Sequence, residues 1–146
     1  MKRVSSRADR IRVFHERLRS LGFASYREYL SSPHWQDVRR RFWASKLAKN
    51  KCCAGCGAGD ALSLHHRTYK RIGQERLMDL VLVCRDCHSG IHDFEDRVGA
   101  HPWRATNKTL RKKRKALGLR GRTSSDDASI PLTLKERGAI PTGRFR

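Results

Sequence analysis

The sequence predicts an α+β fold, with helices at the N-terminal end, a short strand–strand–helix core in the middle and a basic, partly flexible segment at the end. Three observations predict it. Apolar residues recur at helical spacing through the first fifty residues, two short runs rich in Leu and Val follow a Gly-punctuated stretch, and charge is segregated along the chain. Of the 146 residues, 33 are Lys or Arg and 14 are Asp or Glu, a net charge of +19. Residues 1–50 carry 13 basic against 4 acidic groups, residues 51–102 carry seven of each, and residues 103–146 carry 13 against 3. The chain therefore divides into a basic helical region (1–50), a neutral core (51–102) and a basic tail (103–146). With 38% hydrophobic residues, any packed core is small, and a large multidomain architecture is excluded.

The first helix is read over residues 6–21. Ser6 and Asp9 form a capping pair, Ile11, Phe14, Leu18 and Leu21 make the apolar face, and Gly22 ends it. Ser25-Tyr26-Arg27-Glu28 repeats the capping pattern and opens a short helix through Leu30. Ser32-Pro33 then supplies a cap and a first-turn Pro for a third helix, which should run to about Lys49. Its Trp35, Val38 and Phe42 share one face and read as core rather than as base-stacking residues, while Arg39, Arg40 and Arg41 point largely elsewhere. That arginine triplet is either a solvated face or a phosphate contact.

Gly55, Gly57 and Gly59 mark turns, after which Leu62-Ser63-Leu64-His65-His66 alternates as a strand should. Val81-Leu82-Val83 suits a second strand, and residues 85–97 suit a helix with His88 and His92 on one face. The segment from Leu110 to Leu117 contains Arg111-Lys112-Lys113-Arg114-Lys115 and can be helical only if a partner offsets its charge; beyond Gly118 a flexible tail is expected.

The basic flanks call for a polyanion, because Lys and Arg beside phosphates release condensed counterions. An anionic membrane surface or an acidic protein could also attract them. No stretch approaches the ~18–20 apolar residues of a membrane span, and Met1-Lys2-Arg3-Val4-Ser5-Ser6-Arg7 runs on into charged sequence. An intracellular, cytoplasmic protein with no membrane partner is the expectation.

All five Cys lie in the neutral centre. Cys53-x-x-Cys56 and Cys84-x-x-Cys87, separated by 27 residues, meet the demand of a structural zinc site for four tetrahedral thiolates. Disulfides are the weaker alternative in a reducing compartment. Cys52 is left as a spare thiol. His88 and His92, one helical turn apart, can offer two ligands to one ion. His65 and His66 face opposite sides of a regular strand, so one can ligate while the other sits across a bound phosphate. In the competing reading these histidines complete a purely structural zinc array.

His65-His66-Arg67-Thr68-Tyr69, then Gly73-Gln74-Glu75, Asp79-Leu80, Cys84-Arg85-Asp86-Cys87-His88 and Ile91-His92, resembles the HNH endonuclease motif in its zinc-buttressed form. The Tyr29-Leu30 to Trp35 segment resembles what precedes that motif in many such proteins, so the resemblance spans about residues 26–93. It implies a ββα-metal core, with His66 as general base and His65 and His88 as ligands of a catalytic divalent ion. His92 matches a further ligand of the colicin-type branch. The position often filled by Asn is Asp79 here, where a loop-pinning role through local backbone hydrogen bonds competes with direct metal ligation.

The resemblance therefore implies a metal-dependent nuclease that nicks or cuts double-stranded DNA. Neutral His66 could take a proton from water while a divalent ion (Mg²⁺, Mn²⁺, Ni²⁺ or Zn²⁺) acts as Lewis acid on the scissile phosphate. Candidate nucleic-acid contacts are Arg39, Arg40, Arg41, Arg67, Lys70, Arg71, Arg111, Lys112, Lys113, Arg114 and Lys115. DNA is the expected partner, with RNA the open alternative, and the tail offers a place for a protein partner; the chain is read as a monomer or weak dimer. Two further readings compete: a non-catalytic zinc module that binds nucleic acid, and a nuclease subunit of a phage packaging or mobile-element complex. The family resemblance implies a bacterial or phage-infected cell as the setting.

Overall fold

The computed structural model describes residues 6–119. The tail expected beyond Gly118 lies outside them save for Leu119, and so does the N-terminal Met1–Ser5 segment. Helix α1 spans Arg7–Ser20, and its capping box is as the sequence implied: the Ser6 hydroxyl accepts from the Asp9 N–H and the Asp9 carboxylate accepts from the Ser6 N–H. Only Leu18 of its apolar face is fully buried, whereas Ile11 and Leu21 are exposed. The helix lies against the core edge-on, with Phe14 packed edge-to-face on Tyr26 and Tyr69.

Helix α2, Tyr26–Leu30, is capped by Ser25, and helix α3, Pro33–Ala44, by Ser32, whose hydroxyl accepts from the Trp35 N–H. The third helix stops at Ala44, five residues short of the expected end. Ser45 accounts for this: its hydroxyl donates to the Phe42 carbonyl at 2.6 Å and accepts from the Leu47 N–H, so the chain turns into a 3-10 segment, Lys46–Ala48.

Strands β1 (Leu62–His66) and β2 (Leu80–Cys84) form an antiparallel pair in the register Leu64↔Leu82 and His66↔Leu80. Helix α4, Arg85–Val98, follows β2 directly with Cys84 as its N-cap residue, and ends at Gly99, whose φ of +60° is the left-handed conformation that glycine takes without strain. Strand, strand and helix thus make a ββα unit. Trp35, Val38 and Phe42 from α3, both strands, and Ile91 from α4 share one buried core.

Helix α5, Pro102–Ala116, differs most from the sequence expectation. Residues 103–146 are expected as a basic tail, in which a helix over residues 110–117 needs a partner to offset its charge. The helix is instead held by its buried face: α5 packs along α4 and buries Pro102, Ala105, Thr106, Leu110 and Arg114, while Arg111, Lys112, Lys113 and Lys115 stay exposed. No helix among the described residues is long and apolar enough to cross a membrane.

Candidate metal centres and active-site cavity

The two Cys-x-x-Cys pairs meet where the loop before β1 folds over the β2–α4 junction. The Cys53 N–H donates to the Ala58 carbonyl at 2.7 Å and the Gly57 N–H to the Cys53 carbonyl at 2.9 Å, which wraps the loop around the Cys53 sulfur. The Ala54 N–H reaches the Leu82 carbonyl at 2.9 Å and ties the loop to β2. All four sulfurs lie within 4.8 Å of one another, with Cys56 Sγ and Cys84 Sγ 3.5 Å apart, and none is in a disulfide. A tetrahedron of ~2.3 Å zinc–sulfur bonds has edges of about 3.8 Å, so the donor set fits Zn²⁺. Burial pushes the Cys84 thiol up to about 11 and Cys87 higher still, with charge on Cys53 adding to both. A divalent cation reverses that balance by binding the thiolates. Cys52 is buried beside this group and takes no part in it.

Gly55 sits where no side chain fits. A Cβ there would fall 2.9 Å from Cys87 Sγ and 3.0 Å from Leu110 Cδ2. Across the same loop, buried Arg114 of α5 donates from Nη1 to the Ala54 carbonyl at 3.2 Å. Arg114 is therefore a brace for the cysteine loop rather than a nucleic-acid contact, and its place in the expected basic patch is corrected.

A second cluster joins His65 of β1 to His88 and His92 of α4, each with a ring nitrogen within 4.8 Å of the others. His88 Nε2 and His92 Nε2 are 3.1 Å apart, near the edge of about 3.4 Å set by ~2.1 Å bonds to one tetrahedral ion. Each outward nitrogen faces a polar group: His65 Nε2 lies 3.1 Å from Thr106 Oγ1, His88 Nδ1 3.5 Å from Ser63 Oγ, and His92 Nδ1 3.8 Å from a Glu95 carboxylate oxygen. Such outer partners fix ring orientation and tautomer in metal sites. Burial, then the neighbouring imidazoles, hold His65 well below its ordinary range, and burial with His92 brings His88 down to about 4. Neutral rings are the form that ligates, so this donor set too fits a divalent ion.

His66 turns to the other face of β1. Its ring is stacked between Trp35, at a centroid distance of 4.6 Å, and Tyr69, at 5.5 Å. Nδ1 lies 2.8 Å from Tyr26 Oη and Nε2 lies 3.3 Å from Glu75 Oε1. Glu75 is itself buried and also accepts from Tyr29 Oη, from His34 Nε2 at 3.0 Å and from the Gly73 N–H at 3.2 Å. Burial opposes its charge, but the hydrogen bonds from His66, His34 and Tyr29 outweigh burial and hold the carboxyl at about 2. Burial, with Tyr69 and Tyr29 behind it, pushes Tyr26 well above the usual phenol range, so its hydroxyl keeps its proton.

Asp79 stands apart from the histidine cluster. Its carboxylate accepts from the Arg71 guanidinium and, at 3.0 Å, from the Arg76 N–H, while its carbonyl accepts from the Arg67 N–H at 2.7 Å. That is the loop-pinning arrangement, between the end of β1 and the start of β2.

His65, His66, His88 and His92 line one cavity of about 280 Å³, together with Tyr26, Leu30, Leu64 and Tyr69. Tyr26, Tyr69 and His92 are shared with a larger groove of about 570 Å³ beside α1, where Arg7, Arg10, Arg17 and Lys70 stand among the lining residues. Of the other basic candidates, Arg40 and Arg41 pair with Asp37, and half-buried Arg39 bonds Gln36. Arg67 lies over the Trp103 ring at 5.4 Å, and Arg111, Lys112, Lys113 and Lys115 are exposed on α5.

Residues 53–94 match the family described as HNH endonuclease. The chain carries an HNH domain. The match covers both Cys pairs, β1, β2 and the histidine-bearing part of α4, and it points to a nuclease or nucleic-acid-binding function with bound metal. HNH nucleases use divalent metals and act on DNA. Comparison with curated proteins and with solved structures gives no match. Sequence reasoning gave no part in the site to Tyr26, Glu75, Thr106 or Glu95. Glu75 stood within the quoted Gly73-Gln74-Glu75 motif without a role, and Thr106 was hidden in a four-residue stripe, Pro102, Thr106, Leu110 and Arg114, that marks the buried face of α5.

Proposed function

We propose that this protein is a metal-dependent DNA endonuclease that hydrolyses phosphodiester bonds in the cavity between β1 and α4. One observation carries the reading: a buried histidine held by an ionised carboxylate, and a cluster of three histidines, open into the same cavity from opposite faces of one strand. A binding module needs the four cysteines but has no use for that pairing.

His65, His88 and His92 would hold the divalent ion, which when bound supplies Lewis acidity toward the scissile phosphate and the departing 3′ oxygen. His66 takes the proton from the attacking water as its oxygen bonds to phosphorus and the P–O3′ bond breaks. The leaving oxygen collects a proton from solvent, and Glu75 stabilises the imidazolium left on His66. Cys53, Cys56, Cys84 and Cys87 would hold a structural Zn²⁺ that fixes the start of α4, and so the position of His88. Arg10, Arg17 and Lys70, in the groove leading to the cavity, and the exposed cations of α5 would contact the DNA backbone. Asp79 serves the site by pinning the loop between the strands.

The test is cleavage of supercoiled plasmid by the purified full chain with EDTA, Mg²⁺ or Mn²⁺, wild type beside His66→Ala. Metal-dependent nicking that falls about 10²- to 10⁴-fold in the variant is expected. Proteins that both bind DNA and zinc yet cut under no condition would instead favour the binding module.

A further inference from the structure

The tautomer of His66 can be read from its partners. Glu75 is an ionised carboxylate and can only accept, so the ring nitrogen facing it, Nε2, carries the proton. In the neutral ring, the form a general base requires, the other nitrogen, Nδ1, is then a lone pair, placed to accept from the protonated Tyr26 hydroxyl at 2.8 Å. The stacking of Trp35 and Tyr69 on the two ring faces prevents the ring from turning to exchange these roles. Tyr26 lines the cavity that holds the histidine cluster, whereas Glu75 lies behind His66, among Tyr29, His34 and Gly73. The lone pair is therefore on the cavity side and the N–H on the protein side.

We propose that His66 acts through Nδ1, and that Glu75 is the positioning residue that makes this nitrogen the base by accepting the Nε2 proton. The inference rests on the endonuclease reading given above. Tyr26 Oη marks the place from which a proton reaches Nδ1, and the attacking water takes that place in the reacting complex. The Tyr29 hydroxyl, the His34 ring and the Gly73 N–H hold Glu75 in line with Nε2, so α2, α3 and the 72–76 loop all serve the orientation of one imidazole. As in other histidine bases backed by a carboxylate, loss of the carboxylate leaves the ring in place but lets the wrong nitrogen carry the proton.

Two measurements on the full chain test this. Long-range ¹H–¹⁵N correlation spectra with Mg²⁺, with His66 assigned by the signals lost in His66→Ala, should show its proton on Nε2 in the wild type and in Tyr26→Phe, and a mixture of tautomers in Glu75→Gln. In Mn²⁺-dependent nicking, Glu75→Gln should lower kcat on the order of 10²-fold or more with KM for DNA unchanged. A wild-type proton on Nδ1 overturns the proposal whatever the variants do, and that spectrum needs no variant carboxylate to fold. A tautomer that switches in Tyr26→Phe overturns it too, by making the phenol the residue in control. Full kcat in Glu75→Gln overturns the proposal and leaves the endonuclease reading standing; a wild type that never cuts removes both.

Discussion

Thr106 Oγ1 lies 3.1 Å from His65 Nε2, which couples the last helix of the described chain to the first strand of the HNH domain. Thr106 is wholly buried, so the hydroxyl has no water to turn to and its bond to the imidazole is specific. With Nε2 so engaged, Nδ1 is the His65 nitrogen available to an ion. Thr106→Val should weaken Mn²⁺ binding by about 10- to 100-fold, the usual cost of losing an outer-shell partner, and Thr106→Ser should restore it. Titration calorimetry reads both, and equal affinity in all three proteins would separate α5 from the metal centre.

Gly55 offers a test of the cysteine site that leaves every ligand in place. Because an added methyl would press on Cys87 Sγ and on Leu110, Gly55→Ala should push the cysteine loop away from α4 and α5. The expected result is a lower zinc content after dialysis against a chelator and a lower melting temperature, in the same direction as Cys84→Ser but smaller. A Cys84→Ser protein with unchanged zinc and unchanged melting would sink the four-thiolate assignment.

The local signals of this chain were legible because they are short-range. Ser6, Ser25 and Ser32 each caps the helix that begins one residue later, and the alternation of residues 62–66 set the two histidines on opposite faces of β1. The two Cys-x-x-Cys pairs announced their cluster by spacing alone. What sequence could not supply was the pairing of distant polar groups. Nothing local tells that Glu75 will sit behind His66 or that Arg114 will reach the Ala54 carbonyl, since both depend on how α3, α5 and the loops pack. The basic run of 111–115 misled for a related reason: one residue of the five, Arg114, turns inward on the helical period, and the run as a whole conceals it.

That difference within one run separates two kinds of arginine experimentally. Arg114→Ala should lower stability by about 1–3 kcal/mol, the cost of leaving a buried carbonyl without its donor, and leave the salt dependence of DNA binding unchanged. Replacing exposed Arg111, Lys112, Lys113 and Lys115 with Gln should do the reverse, weakening DNA binding and flattening its slope against salt with little change in melting. Denaturant melts and fluorescence-anisotropy titrations at several salt concentrations, run on both variants, resolve the two roles. A salt slope that moves with Arg114→Ala and not with the four exposed residues would reverse the assignment.

Glu75 gives the acid limb of stability a definite sign. Its carboxyl is held at about 2 in the folded chain against an ordinary value of 4.5, because His66, His34 and Tyr29 donate to its charged form. A depressed folded value means that the ionised group stabilises the fold above pH ~4.5, and that this contribution is lost as pH falls from there toward ~2. Wild type should therefore melt above Glu75→Gln at pH 7, and the gap should narrow steadily between pH 4.5 and 2. The comparison is between two proteins over one range, so protonation of carboxylates common to both cancels. A gap that stays constant across that window would mean that Glu75 is held by packing, and that its hydrogen bonds to His66 and His34 do not favour its charge.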